Sequence, residues 1–206
     1  MFTGIVQGQA ILSHKKGDDR LTTFIFKFPK GALVDIKEGA SIAINGTCLT
    51  VTDFNLDKDT ACFDAIKETL HLTNLGKLEA KHKVNFERAA KFGDEIGGHL
   101  MSGHIHSSVE LINIIKTPEN CSLYFKLNEN IKPYILNKGF VGLNGCSLTV
   151  GETTKEYFNV HLIPETLKIT TFGQLNIGDK VNLELDSQTQ AIVNTVENIL
   201  ANRTNT

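Results

Sequence analysis

One sequence pattern occurs twice in this chain and limits the fold more than any other feature. Residues 41–51 read SIAINGTCLTV, and residues 140–150 read FVGLNGCSLTV, 99 positions later. In each copy an Asn-Gly pair separates two apolar runs, and the second run ends in Leu-Thr-Val. Asn-Gly tolerates positive φ and favours a tight turn between strands. The chain is therefore predicted to contain one β-rich module written twice.

Other motifs repeat in the same order. The pentapeptide Phe2-Thr3-Gly4-Ile5-Val6 corresponds to residues 101–105, also at an offset of 99. Residues 67–70 correspond to 164–167, and 83–85 to 180–182, at an offset of 97. The first half thus carries two extra residues, which we place in a predicted hairpin at 55–59, because loop length is easily changed.

Each half is predicted to form six short strands separated by turn signals, which favours a small barrel or sandwich over a parallel sheet. In the first half the predicted strands are residues 2–13, 21–28, 41–45, 48–54, 61–66 and 84–88. Residues 67–76 are predicted to form a short helix ended by glycine. The predicted division is a barrel at 1–97, a barrel at 98–186 and a helix with a tail at 187–206.

The terminal segment has no counterpart in the first half. Ser187 and Gln190 fit a capping box that starts a helix. Its apolar residues recur at helical spacing as one stripe: Ile192, Val196, Ile199 and Leu200. The stripe either covers its own barrel or forms an oligomer contact, and we favour the oligomer.

Composition narrows the class of protein. The chain has 206 residues, 41% hydrophobic and 21% charged, with a net charge of −2 and no run of Lys or Arg. Nucleic acid and anionic membrane are therefore disfavoured as partners. No apolar run approaches the roughly 18 residues of a membrane span. The motif at Phe2 leaves no room for a signal peptide, and the four cysteines lack paired spacing, so we expect a cytoplasmic protein with free thiols.

Common catalytic motifs are missing: the sequence has no GxxxxGK loop, no GxGxxG unit after a strand and no GxSxG elbow. His99, His104 and His106 form one histidine cluster, for which a metal site is an alternative, although no nearby carboxylate or thiol completes it. His104 replaces Ile5 of the first half.

The two copies also differ at polar positions. Cys48 corresponds to Ser147, and both side chains can take part in proton transfer. Asp64 corresponds to His161. This difference indicates either that the two copies have taken different functional roles or that the duplicated sequence has drifted without a change in function. Two similar pockets are predicted to bind two copies of one small molecule about a pseudo-two-fold axis, so that effective molarity supplies much of the rate.

As a set, these motifs closely resemble the riboflavin synthase family of the alpha-chain type, with its lumazine-binding repeats. The similarity extends over essentially the whole chain, and the motifs that carry it are residues 1–6, 45–51, 67–70, 97–104, 144–150 and 161–166.

The resemblance implies an all-β fold of two tandem six-stranded antiparallel Greek-key barrels with a C-terminal α-helix. It implies a transferase that dismutates two 6,7-dimethyl-8-ribityllumazine molecules, two per site, to riboflavin and 5-amino-6-(ribitylamino)uracil, without metal or other cofactor. It also implies a homotrimer in which the N-barrel of one subunit faces the C-barrel of the next. An association with lumazine synthase is a further partner suggested by the family.

Family positions carry over to two pockets. The first is expected to contain Gly4, Ile5, Val6, Cys48, Leu49, Thr50, Asp64, Ala65, Ile66, Lys67, Glu68 and Thr69. The second is expected to contain Gly103, His104, Ile105, Lys138, Ser147, Leu148, Thr149, His161, Leu162, Ile163, Pro164, Glu165 and Thr166. The polar groups expected to act in catalysis are His104, Ser147, Cys48 and Asp186, assisted by Thr149.

The alternative function is a lumazine- or flavin-binding fluorescent protein of the same family, as in luminous bacteria. Those relatives tend to lose the second pocket. Here Thr50 and Thr149, and Glu68 and Glu165, are retained in both halves. The sequence therefore favours the enzyme.

Overall fold

The computed structural model describes residues 1–204 and contains two closed six-stranded barrels. All strand pairs are antiparallel, and in the first barrel they close in the order β1-β2-β5-β4-β3-β6. Its strands are β1 (Gly8–Gly17), β2 (Leu21–Lys27), β3 (Ser41–Ile44), β4 (Thr47–Asn55), β5 (Thr60–Ile66) and β6 (Lys83–Arg88). A short helix, α1 (Lys67–Leu72), follows β5.

The second barrel repeats this order. Its strands are β7 (Ser107–Lys116), β8 (Cys121–Lys126), β9 (Phe140–Leu143), β10 (Cys146–Thr153), β11 (Tyr157–Leu162) and β12 (Lys180–Leu185). The helix α2 (Pro164–Ile169) takes the place of α1, and α3 (Ser187–Thr204) follows the barrel. The predicted fold class of two six-stranded antiparallel barrels and a terminal helix is confirmed.

Each barrel closes around its own apolar core because inward-facing side chains alternate with outward-facing ones along the strands. Phe24, Phe26 and Phe63 fill the first core, and Phe125 and Phe158 stack in the second. Burying one such ring contributes about 1.5–3 kcal/mol. Within the part of the chain that the structure describes, no helix has the length and apolarity needed to span a bilayer.

The repeated Asn-Gly turns adopt the predicted conformation and also join the barrels. Asn45 and Asn144 have φ of 45° and 42°, and the glycines after them are also positive. A Cβ on Gly46 would lie 2.6 Å from the backbone nitrogen of Gly145, so the two turns touch backbone to backbone. The glycines are required by this contact as well as by the turn.

Buried asparagines cross between the barrels in matched pairs. The side-chain amide of Asn85 donates to the carbonyl oxygen of Asn144 at 2.9 Å, and that of Asn182 donates to the carbonyl oxygen of Asn45 at 2.9 Å. The side-chain oxygen of Asn85 also accepts from the backbone N–H of Thr171. An unsatisfied buried partner costs about 1–3 kcal/mol, so the network holds the barrels in one pseudo-two-fold arrangement.

The segments before each barrel cross each other, which differs from the predicted first strand at 2–13. Phe2 pairs with Met101 as an isolated bridge, and β1 begins only at Gly8. Glu87 accepts hydrogen bonds from the backbone N–H groups of Thr3 and Gly4. In the second half Glu184 accepts hydrogen bonds from Ser102 and Gly103 in the same way. Each barrel therefore holds its own leading segment by a buried carboxylate.

The predicted helix boundaries need two corrections. The helix predicted at 67–76 ends at Leu72, because Thr73 is extended and caps a separate 3-10 turn (Asn74–Lys77). At the start of α3 the cap is Asp186 rather than Ser187, since the carboxylate of Asp186 accepts from the backbone N–H and hydroxyl of Thr189. A carboxylate at this position satisfies an end amide and favours the helix dipole.

The apolar stripe of α3 is exposed. The tyrosine hydroxyl of Tyr134 donates to the side chain of Asn194, which fixes the helix beside the second barrel. The residues of the stripe nevertheless remain 49–65% exposed in the chain: Ile192, Val196, Ile199 and Leu200. Residues 205–206, the end of the predicted tail, lie outside the described residues.

Candidate active site

Two cavities with matching walls lie at the ends of the repeated strands. The Ser147 cavity, of about 180 Å³, is lined by Gly4, Ile5, Val6, Cys146, Ser147, Leu148, Ile163, Glu165, Thr166, Ile169 and Thr170. The Cys48 cavity, of about 250 Å³, is lined by Thr47, Cys48, Glu68, Thr69, Leu72, Thr73, Gly103, His104 and Ile105. Equivalent positions of the repeat form both walls, so the chain contains two copies of one cavity.

Each cavity is completed by the leading segment of the other barrel. The backbone N–H of Cys48 donates to the carbonyl oxygen of Gly103 at 2.9 Å. The backbone N–H of Ser147 donates to the carbonyl oxygen of Gly4 at 2.8 Å. The expected grouping by barrel is therefore wrong: Gly4, Ile5 and Val6 line the cavity of the second barrel. Correspondingly, residues 103–105 line that of the first.

The glycines make this close approach possible. A Cβ on Gly4 would lie 2.4 Å from the Cβ of Ser147, and a Cβ on Gly103 would lie 2.6 Å from the Cβ of Cys48. Both glycines also have positive φ. Any larger residue at either position would push the leading segment away from the cavity.

His99 stands directly behind Ser147, and sequence reasoning did not include it in the site. Its Nδ1 lies 2.6 Å from the hydroxyl oxygen of Ser147, and its ring stacks on Phe140 with centroids 5.0 Å apart. His99 is only 8% exposed. One feature of the sequence could have indicated that His99 belongs to the site. It lies in the motif at residues 97–104, two positions before the second module starts.

The charges around His99 favour a neutral ring. Burial lowers the pKa of His99, and the negative charge of Asp186 partly opposes that change. For Asp186, burial works against ionisation, but hydrogen bonds from Thr189 and Gln188, together with the neighbouring His99, leave its pKa lowered. Burial raises the pKa of Cys146 to about 12, so this thiol beside Ser147 stays protonated.

The Cys48 cavity has a different polar group. His104 lines it from the crossing segment and is exposed, and its backbone N–H donates to the hydroxyl of Ser102 at 3.1 Å. Cys48 itself is half-buried and is a free thiol. The structure thus brings His104 to Cys48 and not to Ser147, although the sequence placed His104 with Ser147.

Several expected site residues do not line either cavity. Leu49, Ala65 and Leu162 are buried in the barrel cores. The others lie outside the cavity walls: Thr50, Asp64, Ile66, Lys67, Lys138, Thr149, His161, Pro164 and Asp186.

The diverged pair Asp64 and His161 occupies one equivalent place on the two barrels. The carboxylate of Asp64 accepts from the hydroxyl of Thr23 at 2.6 Å, and Nδ1 of His161 lies 2.8 Å from the hydroxyl of Ser122. Each pair spans two neighbouring strands on the outer face. Both residues therefore have a local structural partner.

The alternative of a metal site at the histidine cluster is not supported. His99 is buried against Ser147, whereas His104 faces the other cavity. Across residues 1–204, no group of three or more His, Cys, Asp or Glu side chains is placed to hold a metal ion.

Comparison with known proteins agrees with this architecture. A model of the lumazine binding domain matches residues 3–89 and again 102–186. The riboflavin synthase of Escherichia coli (strain K12) is 51% identical over 206 residues, which is all of this chain and 96% of that protein. This chain belongs to the riboflavin synthase family.

Other relatives extend the comparison. The riboflavin synthase of Buchnera aphidicola subsp. Schizaphis graminum is 41% identical over 97% of this chain and 96% of that protein. Among solved structures, LumP complexed with riboflavin matches with a TM-score of 0.82 and 31% identity. LumP complexed with 6,7-dimethyl-8-(1'-D-ribityl) lumazine matches with a TM-score of 0.81 and 28% identity. Each of these two matches covers 91% of this chain and all of the LumP chain.

Proposed function

We propose that this protein catalyses the last step of riboflavin biosynthesis, the dismutation of two 6,7-dimethyl-8-ribityllumazine molecules. One lumazine gives up a four-carbon unit to the other, which yields riboflavin and 5-amino-6-(ribitylamino)uracil. The observation that carries this proposal is the pair of cavities with equivalent walls but different polar groups, Cys48 with His104 and Ser147 with His99. Two identical substrates can then be bound alike and treated differently.

The proposal also assigns positions to the parts of the substrate. The crossing segments and strands β4 and β10 offer backbone groups that can read a pyrimidine-like ring without charge. Thr50 and Thr149 are proposed to bind the ribityl chain. Asp186 and Lys138 are proposed to lie at the edge of the second site. These roles rest on the family resemblance.

The assembly and location are part of the same proposal. The exposed stripe of α3 supports a homotrimer, in which neighbouring barrels bring one lumazine of each kind together. Four free cysteines favour the cytoplasm, where thiols stay reduced. The proposed division is 1–97 and 98–186 for the lumazine-binding barrels and 187–206 for assembly, and lumazine synthase is the proposed partner.

The test is to mix the purified protein with 6,7-dimethyl-8-ribityllumazine and a chelator and to follow riboflavin absorbance. One riboflavin formed per two lumazines consumed is expected. The second candidate, a lumazine-binding protein without turnover, is favoured by the similarity to LumP structures with bound ligands. Tight binding without riboflavin formation would select that candidate and reject the enzyme.

A further inference from the structure

A third cavity, which we call the inter-barrel cleft, lies between the two barrels and shares no lining residue with the Ser147 and Cys48 cavities. Its most buried lining residues are the turn residues Asn45 and Asn144. Its walls come from residues 74–83 of the first barrel and 171–180 of the second, which are equivalent segments of the repeat. The volume of about 480 Å³ is typical of a site for a small molecule.

Three lysines give the inter-barrel cleft a positive charge. Lys83 and Lys180 occupy the same position in the two walls, and Lys77 adds a third cation to the first wall. Within residues 1–204, none of these ammonium groups makes an ion pair or a hydrogen bond. Asp179 is the carboxylate that lines the cleft, so three lysines against one aspartate leave an excess of positive charge. A cleft with such an excess attracts anions, although the whole chain carries a net charge of −2.

The first wall is better suited to an anion than the second, because a histidine takes the place of the aspartate. Nδ1 of His82 accepts a hydrogen bond from the backbone N–H of Glu79 at 3.0 Å. The carboxylate of Asp179 accepts the equivalent bond from the backbone N–H of Asn176 at 2.8 Å. Because Nδ1 of His82 is an acceptor, its Nε2 carries a proton and can donate to a ligand.

The remaining lining residues suit a hydroxylated body on that anion. Thr171 and Gln174 line the second wall, and both side chains offer donors and acceptors of hydrogen bonds. The apolar side chains of the lining are those of Leu78 and Leu175, one in each wall. A phosphate monoester carries a charge of about −1.5 to −2 at pH 7 and offers three strong acceptor oxygens, which matches the charge of the lysines.

We propose that the inter-barrel cleft binds a phosphate monoester of a small polyhydroxylated compound, a sugar phosphate in its chemical class. Lys77, Lys83 and Lys180 bind the phosphate, and the polar groups of the second wall bind the hydroxyls. The inference is independent of the proposed function, because it uses neither the Ser147 cavity nor the Cys48 cavity. Since both barrels contribute residues, the bound ligand also holds the barrels together.

The test is isothermal titration calorimetry of the full chain with ribose 5-phosphate, with ribose and inorganic phosphate as comparison probes. We expect one ribose 5-phosphate per chain, a rise in Tm on binding, and weaker binding at higher salt. Ribose should not bind, and inorganic phosphate should bind more weakly than ribose 5-phosphate. Failure of ribose 5-phosphate to bind at millimolar concentration, or equal affinity for inorganic phosphate, would overturn the proposal.

Charge variants of opposite sign place the ligand in the cleft. Lys83→Gln and Lys180→Gln should each raise the Kd for ribose 5-phosphate by about tenfold. Asp179→Asn removes the opposing charge and should lower the Kd by about two- to fivefold. Damage to the fold would weaken binding in all three variants and could not tighten it in one. The matched control is Lys155→Gln, because Lys155 is an exposed lysine outside the cleft.

The outcomes separate this proposal from the proposed function. An unchanged Kd in Lys83→Gln would overturn the site, and an unchanged Kd in Lys180→Gln alone would contradict a ligand shared by both barrels. Binding is measured without turnover, so a protein that binds ribose 5-phosphate as expected but forms no riboflavin would reject only the proposed function.

Discussion

Cys48 and Ser147 occupy one position in two copies of a cavity, and their chemistry differs most strongly through their neighbours. Ser147 has a buried imidazole behind it, whereas Cys48 shares its cavity with the exposed His104. We interpret this difference as the means by which two identical lumazines become donor and acceptor of the four-carbon unit. In this interpretation, the two cavities differ through the neighbouring residues His99 and His104 as much as through Cys48 and Ser147 themselves.

Replacing these side chains should slow turnover without preventing binding. Ser147→Ala and His104→Gln are each expected to lower kcat by about 10²–10⁴-fold, because proton transfer loses a group while the cavity walls remain. Lumazine affinity, measured by fluorescence titration, should largely persist. Wild-type kcat in both variants would refute the assignment of these two residues.

The sequence predicted part of the lining of the two cavities, but it did not predict which side chains contact each other there. Comparing the copies identified Cys48 and Ser147, since a polar difference within a repeat can be seen without a structure. It could not show that His99 bonds to Ser147, because that contact depends on the path of the segment at 98–106. It likewise paired His104 with the wrong cavity.

Among the structural elements, the leading segments are where the sequence prediction and the structure differ most clearly. The repeat predicted that Gly4 and Gly103 are equivalent, which is confirmed by their shared positive φ. The crossing itself rests on backbone hydrogen bonds, such as Cys48 N–H to Gly103 oxygen. Backbone bonds leave no side-chain signature, so no motif could reveal which barrel each segment completes.

The buried carboxylates that hold these segments should make stability depend on pH. Burial raises the pKa of Glu184, against the hydrogen bonds from Ser102 and Gly103. A raised pKa means that the folded state binds the proton more tightly, so this stabilisation is greatest at low pH. It should be lost as the pH rises from the ordinary value of 4.5 through the folded pKa.

Glu184→Gln removes this titration. The difference in free energy of unfolding between wild type and Glu184→Gln, measured in urea, should become less favourable to wild type as the pH rises from about 4 to 7. The exposed Glu197→Gln is the matched control and should show no such trend. A difference independent of pH in Glu184→Gln would contradict the assigned shift.

For the whole molecule, the main question is what covers α3. Its exposed stripe runs along the helix and includes Val196, while Asn198 lies on another face. The sequence identified the stripe because its spacing is regular, but the spacing is the same for any partner. Only an assembly measurement can identify the surface that covers it.

Val196→Asp should dissociate the proposed homotrimer, because it places an unpaired charge in an apolar contact. By light scattering, the mass should fall from about three times 22.7 kDa to 22.7 kDa. Asn198→Asp introduces the same charge away from the stripe and should leave the mass unchanged. An intact oligomer in Val196→Asp would mean that the helix is not the contact.

The crossing of the leading segments has a consequence for ancestry. A half-length chain with one module would expose the backbone groups that Gly4, Cys48 and their counterparts now satisfy in each other. Two such chains would satisfy them by exchanging segments about a true two-fold axis, with the asparagine pairs bridging them. Fusing two such genes would turn that symmetric dimer into one chain, and only a fused chain would leave the two binding sites free to evolve apart.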